Sequence, residues 1–253
     1  MNFFSPKTAA ARYSKGRPFF HPLIISRIKE FLKLNKSLPN ALDVGCGTGL
    51  SATALKEIAE AVIGIDASSE MIAFAPKDND IKYLVSKAEN LPFDENKFDL
   101  ITMSQVFHWL DFSVFFSEAR RVLKNKGWMI IYDNYFSSRM PENPGFQTWY
   151  KEFYLKKFPT PPRNWVSFTA EETEKEGFYL IKHEWIKNTI DFSLGELTGF
   201  LLTLTNVIAT VEGGNEKIED VESWLTENLS PFFQGAREEF LFSAPIWFLQ
   251  REF

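Results

Sequence analysis

The stretch that most constrains the fold is residues 41–50, ALDVGCGTGL. An apolar run ends here in three glycines, at positions 45, 47 and 49, and a helical pattern follows. Glycine tolerates positive φ angles and lets another group approach the backbone closely. A strand that turns through such glycines into a helix presents free N–H groups at the positive end of the helix dipole. The stretch therefore predicts an α/β fold with a ligand at the carboxyl end of its first strand.

Strands and helices alternate along residues 38–133. Runs such as AVIGID and FDLITM are apolar without a strict alternation of apolar and polar residues. Such runs are typical of parallel strands that are buried on both faces, and alternation with helices is typical of a doubly wound sheet. Residues 21–34 predict a helix before the first strand, and Ser68 is the predicted N-cap of the helix after the second.

The regular alternation of strands and helices ends after Asp133. A loop, a helical stretch rich in aromatic residues, a long strand pattern and two amphipathic helices follow. One of these helices is predicted over residues 194–208. We expect one domain spanning residues 1–253, with helical cap insertions in an α/β core. The expected boundaries are a core at about 21–133, 178–192 and 236–253, an N-terminal lid at about 8–20, and a cap at about 134–177 and 193–235.

Composition excludes several classes of partner. The net charge is −5 and no basic block stands out, so we expect no nucleic-acid partner. Cys46 is the single cysteine, which excludes an internal disulfide, and no cluster has metal-ligand spacing, so we expect no metal. The N-terminus lacks the apolar core of a signal peptide and no stretch is long enough to span a bilayer, so we expect a cytoplasmic protein without a membrane partner.

Asp66 narrows the ligand to one that contains a nucleoside. It lies 21 residues after Gly45, at the predicted end of the second strand, where an acidic side chain can bind both ribose hydroxyls. The dinucleotide pattern G-x-G-x-x-G would need glycine at position 50, which is leucine. Asp43 would repel a pyrophosphate but suits an ammonium or sulfonium group, although it can also be a helix or turn cap. Together these residues favour S-adenosylmethionine (SAM).

The same stretch resembles motif I of the class I SAM-dependent methyltransferases. The resemblance continues through VIGIDASSEMIAFA, SKAENLPFDENKFDLITMSQVFHWLD and EARRVLKNKGWMIIYD, and covers about residues 10–135. The stretches ARYSKGRPFFHPLI, SQVFHWLD and APIWFL are similar to the small-molecule branch, of methyltransferase type 11, that includes trans-aconitate methyltransferase-like proteins. The resemblance implies a Rossmann-like sheet of seven strands with an antiparallel last strand.

The resemblance also implies a set of cofactor-binding residues at the strand ends and in the N-terminal lid. The glycines would cradle the methionyl and ribose parts, Asp66 would bind the ribose, and the residues after it would line the adenine. This set comprises Tyr13, Arg17, Asp43, Gly45, Gly47, Gly49, Asp66, Ala67, Met71, Ala88, Glu89 and Gln105. One position departs from the family, because Lys87 stands where many relatives carry an acidic residue. The adenine contact there is expected to come from Glu89 or from the backbone.

The candidate substrate site follows the fourth strand. His108 and Trp109 lie there, at the edge where open α/β sheets bind ligands, and Tyr135 follows the fifth strand. His108 is the candidate catalytic residue, as a general base, with a structural histidine as the alternative. Cys46 is interpreted as a small loop residue, since no group that would activate its thiol is visible.

The expected activity is methyl transfer from SAM to a small molecule, with S-adenosylhomocysteine as product and a carboxylate as a candidate acceptor. Two alternatives stay open at this point, a nicotinamide-dependent oxidoreductase and a non-catalytic module that binds SAM. The acceptor and the oligomeric state are not fixed by the sequence.

Overall fold

The computed structural model describes residues 6–77, 80–162 and 168–252. Helices and strands alternate along most of this length. In chain order they are α1 Lys7–Gly16, α2 His21–Phe31, β1 Leu38–Val44, α3 Leu50–Leu55, β2 Ala59–Asp66, α4 Ser69–Ile72, β3 Ile81–Val85, β4 Phe98–Ser104, α5 Phe112–Val122, β5 Leu123–Tyr132, β6 Tyr135–Phe136, α6 Gly145–Trp149, α7 Leu155–Lys157, α8 Ala170–Lys175, β7 Phe178–Phe192, α9 Leu194–Leu201, α10 Thr205–Glu212, α11 Ile218–Leu229 and β8 Glu238–Arg251.

The chain divides into two compact units. The first, here called the sheet unit, comprises the described residues within Phe19–Asp133, Arg163–Trp185 and Pro245–Phe253. The second, here called the helical unit, comprises those within Met1–Pro18, Asn134–Pro162 and Ile186–Ala244.

The sheet unit contains the predicted doubly wound sheet. Its parallel strands run in the order β3-β2-β1-β4-β5, and β8 adds to β5 in the antiparallel direction, from Trp128 opposite Gln250 to Tyr132 opposite Ile246. The expected antiparallel last strand is therefore confirmed. The described strands number eight rather than the expected seven, because the two-residue strand β6 also pairs with β8, at Phe242 and Ser243.

Burial explains why the parallel strands lack an alternating pattern. Leu42 of β1 and Ile101 of β4 are buried in the core of the sheet unit on one face, and their neighbours Ala41 and Leu100, on the other face, are fully buried as well. This core also contains the apolar face of α5. A side chain on either face of a central strand meets a helix, so both faces must be apolar. The predicted N-cap is also confirmed, since the Ser68 hydroxyl accepts a hydrogen bond from the Met71 N–H at 3.1 Å.

The helical unit differs from expectation at its longest predicted helix. The helix predicted over residues 194–208 is broken into α9 and α10, whose axes meet at 68°. Leu204 is extended, with ψ of 143°, and the Thr203 hydroxyl donates to the Phe200 carbonyl at 2.6 Å. The break lets both helices bury apolar side chains, among them Phe200 and Val207. Within the described ranges, no single helix is long and apolar enough to cross a membrane; the bent pair meets that criterion by length and composition, with largely buried side chains.

The N-terminal segment also differs from expectation, because α1 is part of the packing of the helical unit. Ala9 and Ala10 are fully buried, and Arg12 forms an ion pair with Glu212 at 2.7 Å. A Cβ atom at Gly16 would lie 2.7 Å from Cγ2 of Thr203, so the helix approaches α9 and its following turn closely. Part of the segment expected as an N-terminal lid, residues 8–20, is thus packed into the helical unit.

Three boundaries differ from those expected. Residues 168–177, assigned to the cap, fall in the sheet unit, whereas residues 186–192 and 236–244, assigned to the core, fall in the helical unit. The reason is the length of β7 and β8, which have 15 and 14 residues and run on from one unit into the other. The description as one domain with a lid and a cap stays a prediction.

Candidate active site

The glycine loop joins β1 to α3 at the carboxyl edge of the sheet. Gly45, Gly47 and Gly49 have φ angles of 68°, 56° and 85°, in the left-handed region that favours glycine. A Cβ atom at Gly45 would lie 2.5 Å from Cγ2 of Val106. A Cβ atom at Gly49 would lie 2.5 Å from the hydroxyl of Tyr83. The protein's own side chains thus require glycine at positions 45 and 49, independently of any ligand.

Substitution of Gly45 by alanine is expected to lower the free energy of unfolding by about 1–2 kcal/mol. The new methyl group meets Val106, and the left-handed backbone adds strain of its own. Urea denaturation measures the loss. The same substitution is expected to cost less in a Val106→Gly background, because that change removes the Cβ and both Cγ atoms that clash and leaves only the backbone strain. An equal cost in both backgrounds would show that Val106 does not restrict this position.

Asp66, the last residue of β2, forms hydrogen bonds with both the glycine loop and the start of α4. Its Oδ2 accepts a hydrogen bond from the Gly47 N–H at 2.9 Å, and its Oδ1 accepts one from the Ser68 N–H at 2.8 Å. Burial raises the pKa of this carboxyl group above its ordinary value, although the two N–H donors act in the opposite direction. Each carboxylate oxygen can accept a second hydrogen bond, so Asp66 keeps the capacity to bind hydroxyl groups of a ligand.

Asp43 occupies a different environment from the one that direct contact with a ligand would need. Its side chain is fully buried, and its oxygens accept hydrogen bonds from the hydroxyls of Ser51 and Thr102 and from the Ala52 backbone. Burial raises the pKa of the carboxyl group from 3.8 to about 7. The structure therefore shows the cap that the sequence had left open as an alternative. Any effect of Asp43 on a bound cation acts through space rather than by contact.

The residues predicted to surround an adenine divide into exposed and buried groups. Ala67 is exposed and Glu89 is half-buried, with its Oε1 accepting the Asp111 N–H at 3.2 Å. Met71 and Ala88 are buried, and Ala88 belongs to the hydrophobic core. Lys87, the departure from the family, is exposed. Ala67 and Glu89 are thus the members of this group best placed to face a ligand.

The end of β4 carries the next predicted residues. Gln105 has a φ of 58°, which is uncommon for a residue other than glycine, and its N–H donates to the Tyr132 carbonyl at 3.1 Å. Strained backbone of this kind is concentrated at functional sites. His108 and Trp109 follow in a 3₁₀ turn, with ring centroids 4.8 Å apart. Val44, Asp66 and the 104–109 segment all lie at the carboxyl ends of adjacent parallel strands, where ligands bind in open α/β sheets.

Three predicted residues belong to the helical unit. Tyr13 lies in α1, and the guanidinium carbon of Arg17 lies 4.7 Å from the centroid of its ring. The same guanidinium group donates to the Thr203 carbonyl at 3.3 Å. Tyr135 begins β6 and is partly exposed. The structure thus brings Tyr13 and Arg17 together, four residues apart in the sequence.

Sequence reasoning missed several residues that shape the site. Val106 and Tyr83 determine where glycine is needed, and Ser51 and Thr102 hold Asp43. The sequence around each of these residues gives no sign of its role, because each contacts a residue from another segment of the chain. His21 is a further case, since its buried ring lies 2.9 Å, Nδ1 to hydroxyl, from Tyr132. Burial lowers its pKa from 6.5 to about 3, so the imidazole is neutral.

Comparison with known proteins decides the family. Residues 42–131 match the family described as "Methyltransferase domain". A candidate methyltransferase from Dictyostelium discoideum is 25% identical over 81% of this chain and 78% of its own length. A ubiquinone biosynthesis O-methyltransferase from Pelagibacter ubique is 29% identical over 72% of this chain and 86% of its own. The chain is a class I SAM-dependent methyltransferase. The fold of the methyltransferase also matches a candidate type II methyltransferase from Anaeromyxobacter dehalogenans, with a TM-score of 0.71, 20% identity, and coverage of 93% and 97% of the two chains.

The match places the glycine loop, Asp66 and the end of β4 inside the family segment of the methyltransferase. The alternative of a nicotinamide-dependent oxidoreductase, which the glycine spacing had already disfavoured, finds no support in these relatives. Across the described ranges, no group of three or more His, Cys, Asp or Glu residues is arranged to hold a metal ion. Burial raises the pKa of the Cys46 thiol far above its ordinary value, which makes it a poor nucleophile.

Proposed function

We propose that the methyltransferase transfers a methyl group from SAM to an oxygen atom of a small molecule, with a carboxylate as the acceptor. The observation that carries the proposal is Asp66, a half-buried carboxylate at the carboxyl end of β2 that holds the glycine loop by its Gly47 N–H. That arrangement fits a ribose against the carboxylate and a methionyl group along the loop.

The remaining residues of the site fit the same cofactor. Asp43 is buried in β1 just before the glycine loop, and its ionised form would favour a cation at the loop. Ala67 and Glu89 are exposed enough to line an adenine. Tyr13 and Arg17, which contact one another in the helical unit, stay predicted cofactor-binding residues of an N-terminal lid. The bound cofactor supplies an activated methyl group on a sulfonium, so the chain itself has to align the acceptor and exclude water.

The choice of acceptor atom decides whether a base is needed. A carboxylate is already a nucleophile, whereas a hydroxyl group must lose a proton. His108 is the base in the second case, since it lies half-buried in the turn after β4. An oxygen acceptor is supported by the name of the Pelagibacter relative, an O-methyltransferase. A small acceptor is supported by the acidic net charge of −5, which disfavours nucleic acid.

Methyl-labelled SAM incubated with a fractionated metabolite pool is expected to label a small carboxylic acid as its methyl ester. In calorimetry, SAM and S-adenosylhomocysteine are expected to bind and NAD is not. Arg17→Gln is expected to weaken SAM if the lid contacts it. Labelling of RNA, DNA or protein with none in the metabolite pool would contradict the proposal, as would tight binding of NAD without SAM.

The role of His108 is tested with the acceptor that this labelling identifies. With a carboxylate acceptor, His108→Asn is expected to keep kcat within a few-fold of the wild type. A loss of about 10²–10⁴-fold would instead identify His108 as a general base and the acceptor atom as a hydroxyl oxygen.

A further inference from the structure

One row of β7 presents large apolar side chains to solvent within the sheet unit. Tyr179, Ile181 and Trp185 are 43%, 49% and 58% exposed, and they alternate along the strand with partly buried residues. Three of the ten large hydrophobic residues that are exposed in the described part of the chain therefore lie within seven positions. Contiguous exposed apolar surface of this kind marks an interaction site more often than isolated residues do.

The same strand is an edge of the sheet. Among the described strands, β7 pairs with β8 and with no other. An edge strand has backbone N–H and C=O groups that can pair with another strand, and proteins usually protect such edges by keeping them short or covered. At 15 residues β7 is the longest strand described. The occupant that suits its free edge is an extended strand, which can come from a second copy of this chain.

The charges of β7 select the register of such a pairing. In a symmetric antiparallel pair that continues the sheet, residues that lie opposite one another must point to the same face of the sheet. The two-fold axis therefore lies between one residue and the same residue of the second copy, and it is named here by that residue. An axis at Lys182 or at Glu184 would place like charges opposite one another. An axis at His183 places Lys182 opposite Glu184 of the second copy, and Ile181 opposite Trp185. Opposite charges and apolar pairs are both favourable across strands.

We propose that the methyltransferase forms a symmetric dimer by antiparallel pairing of β7 with β7 of a second copy, with the two-fold axis at His183. The His183 ring is already fixed flat against Trp247, with centroids 4.7 Å apart and an interplanar angle of 5°. Glu184 is held by Arg27, with 2.6 Å between Nε and Oε1, and by Lys182 of its own chain. The side chains of His183 and Glu184 are thus ordered before association, which lowers the entropic cost of dimerisation.

Disulfide trapping tests the register directly. Cys46 is buried and is the only cysteine, so an introduced cysteine is the single accessible thiol. In His183→Cys the two thiols would face each other across the axis, at the ~4.5–5.5 Å Cα separation that a disulfide accepts. In Tyr179→Cys, the matched control on the same face, eight residues would separate the two thiols along the strands, or roughly 27 Å.

Mild oxidation is expected to convert most His183→Cys chains into covalent dimers and to leave the Tyr179→Cys chains without a crosslink at the same concentration. Light scattering is expected to give a dimer for the wild type. A mixture of Ile181→Cys and Trp185→Cys chains is expected to form crosslinks that neither chain forms alone, which keeps the test valid if His183→Cys folds poorly. No crosslink in either arm, or equal crosslinking of the Tyr179→Cys and His183→Cys chains, would overturn the proposal.

Discussion

Asp66→Ala is expected to weaken SAM binding by about 1–3 kcal/mol, or ~5–150-fold in Kd. The carboxylate accepts the Gly47 and Ser68 N–H groups, and in the proposed complex it also accepts the ribose hydroxyls. Alanine removes the ligand contact and leaves the Gly47 and Ser68 N–H groups without their acceptor. Calorimetry measures the affinity, and urea denaturation measures the accompanying loss of stability.

Asp99→Ala provides a matched control for this experiment. Asp99 also accepts a backbone N–H, from Asn40 at 3.0 Å, and also lies on a parallel strand, but it lies near the start of β4 at the opposite edge of the sheet. Its loss is expected to lower stability and leave the Kd for SAM within about two-fold. If Asp66→Ala and Asp99→Ala changed the affinity equally, the effect would come from general destabilisation, and Asp66 would not belong to the cofactor site.

The parts of the fold that could be predicted depend on local patterns. Buried parallel strands are apolar along their whole length, and the turn after β1 needs glycine at positive φ, so both leave a mark on a few consecutive residues. The N-cap at Ser68 is equally local. Asp66 could be located because the length of one β-α-β unit fixes the distance to the next strand end.

The parts that could not be predicted depend on contacts between distant segments. The helical pattern over residues 194–208 continues through the break at Leu204, because each half has its own apolar face. The polar sequence of α1 gives no sign that Ala9 and Ala10 are buried. Whether Asp43 faces a ligand or the interior is decided by Thr102, 59 residues away. A single sequence carries no signal for such pairs.

The free energy of unfolding is expected to respond to pH in opposite directions at Asp43 and His21. Burial raises the pKa of Asp43 from 3.8 to about 7 and lowers that of His21 from 6.5 to about 3. Folding therefore favours protonated Asp43, whose contribution to stability is present below about pH 4 and is lost as the pH rises through 7. It also favours neutral His21, whose contribution is present above pH 6.5 and is lost as the pH falls through 3.

Between about pH 4 and 6.5 the two slopes cancel, each being about 1.4 kcal/mol per pH unit. Asp43→Asn removes one slope, so its stability relative to the wild type is expected to rise by up to about 4 kcal/mol from pH 4 to 7. His21→Asn removes the other, so its relative stability is expected to fall over the same range. Urea denaturation at several pH values measures both. Asp66 and the carboxyls with lowered pKa, such as Glu118 and Glu184, are common to all three proteins and cancel in the differences.

The same Asp43→Asn variant separates a structural from a functional role for the charge. Asparagine can exchange hydrogen bonds with the Ser51 and Thr102 hydroxyls, which donate or accept as needed, so the buried network is kept without a charge. Above pH 7 the variant is expected to be more stable than the wild type, because it avoids the cost of a buried carboxylate. If the charge attracts the sulfonium through space, SAM affinity is expected to fall while affinity for the uncharged S-adenosylhomocysteine sulfur falls less. Equal losses for the two ligands, or none, would show that Asp43 is retained only as a cap. A pH profile of stability parallel to that of the wild type would show that Asp43 does not bind a proton near neutral pH.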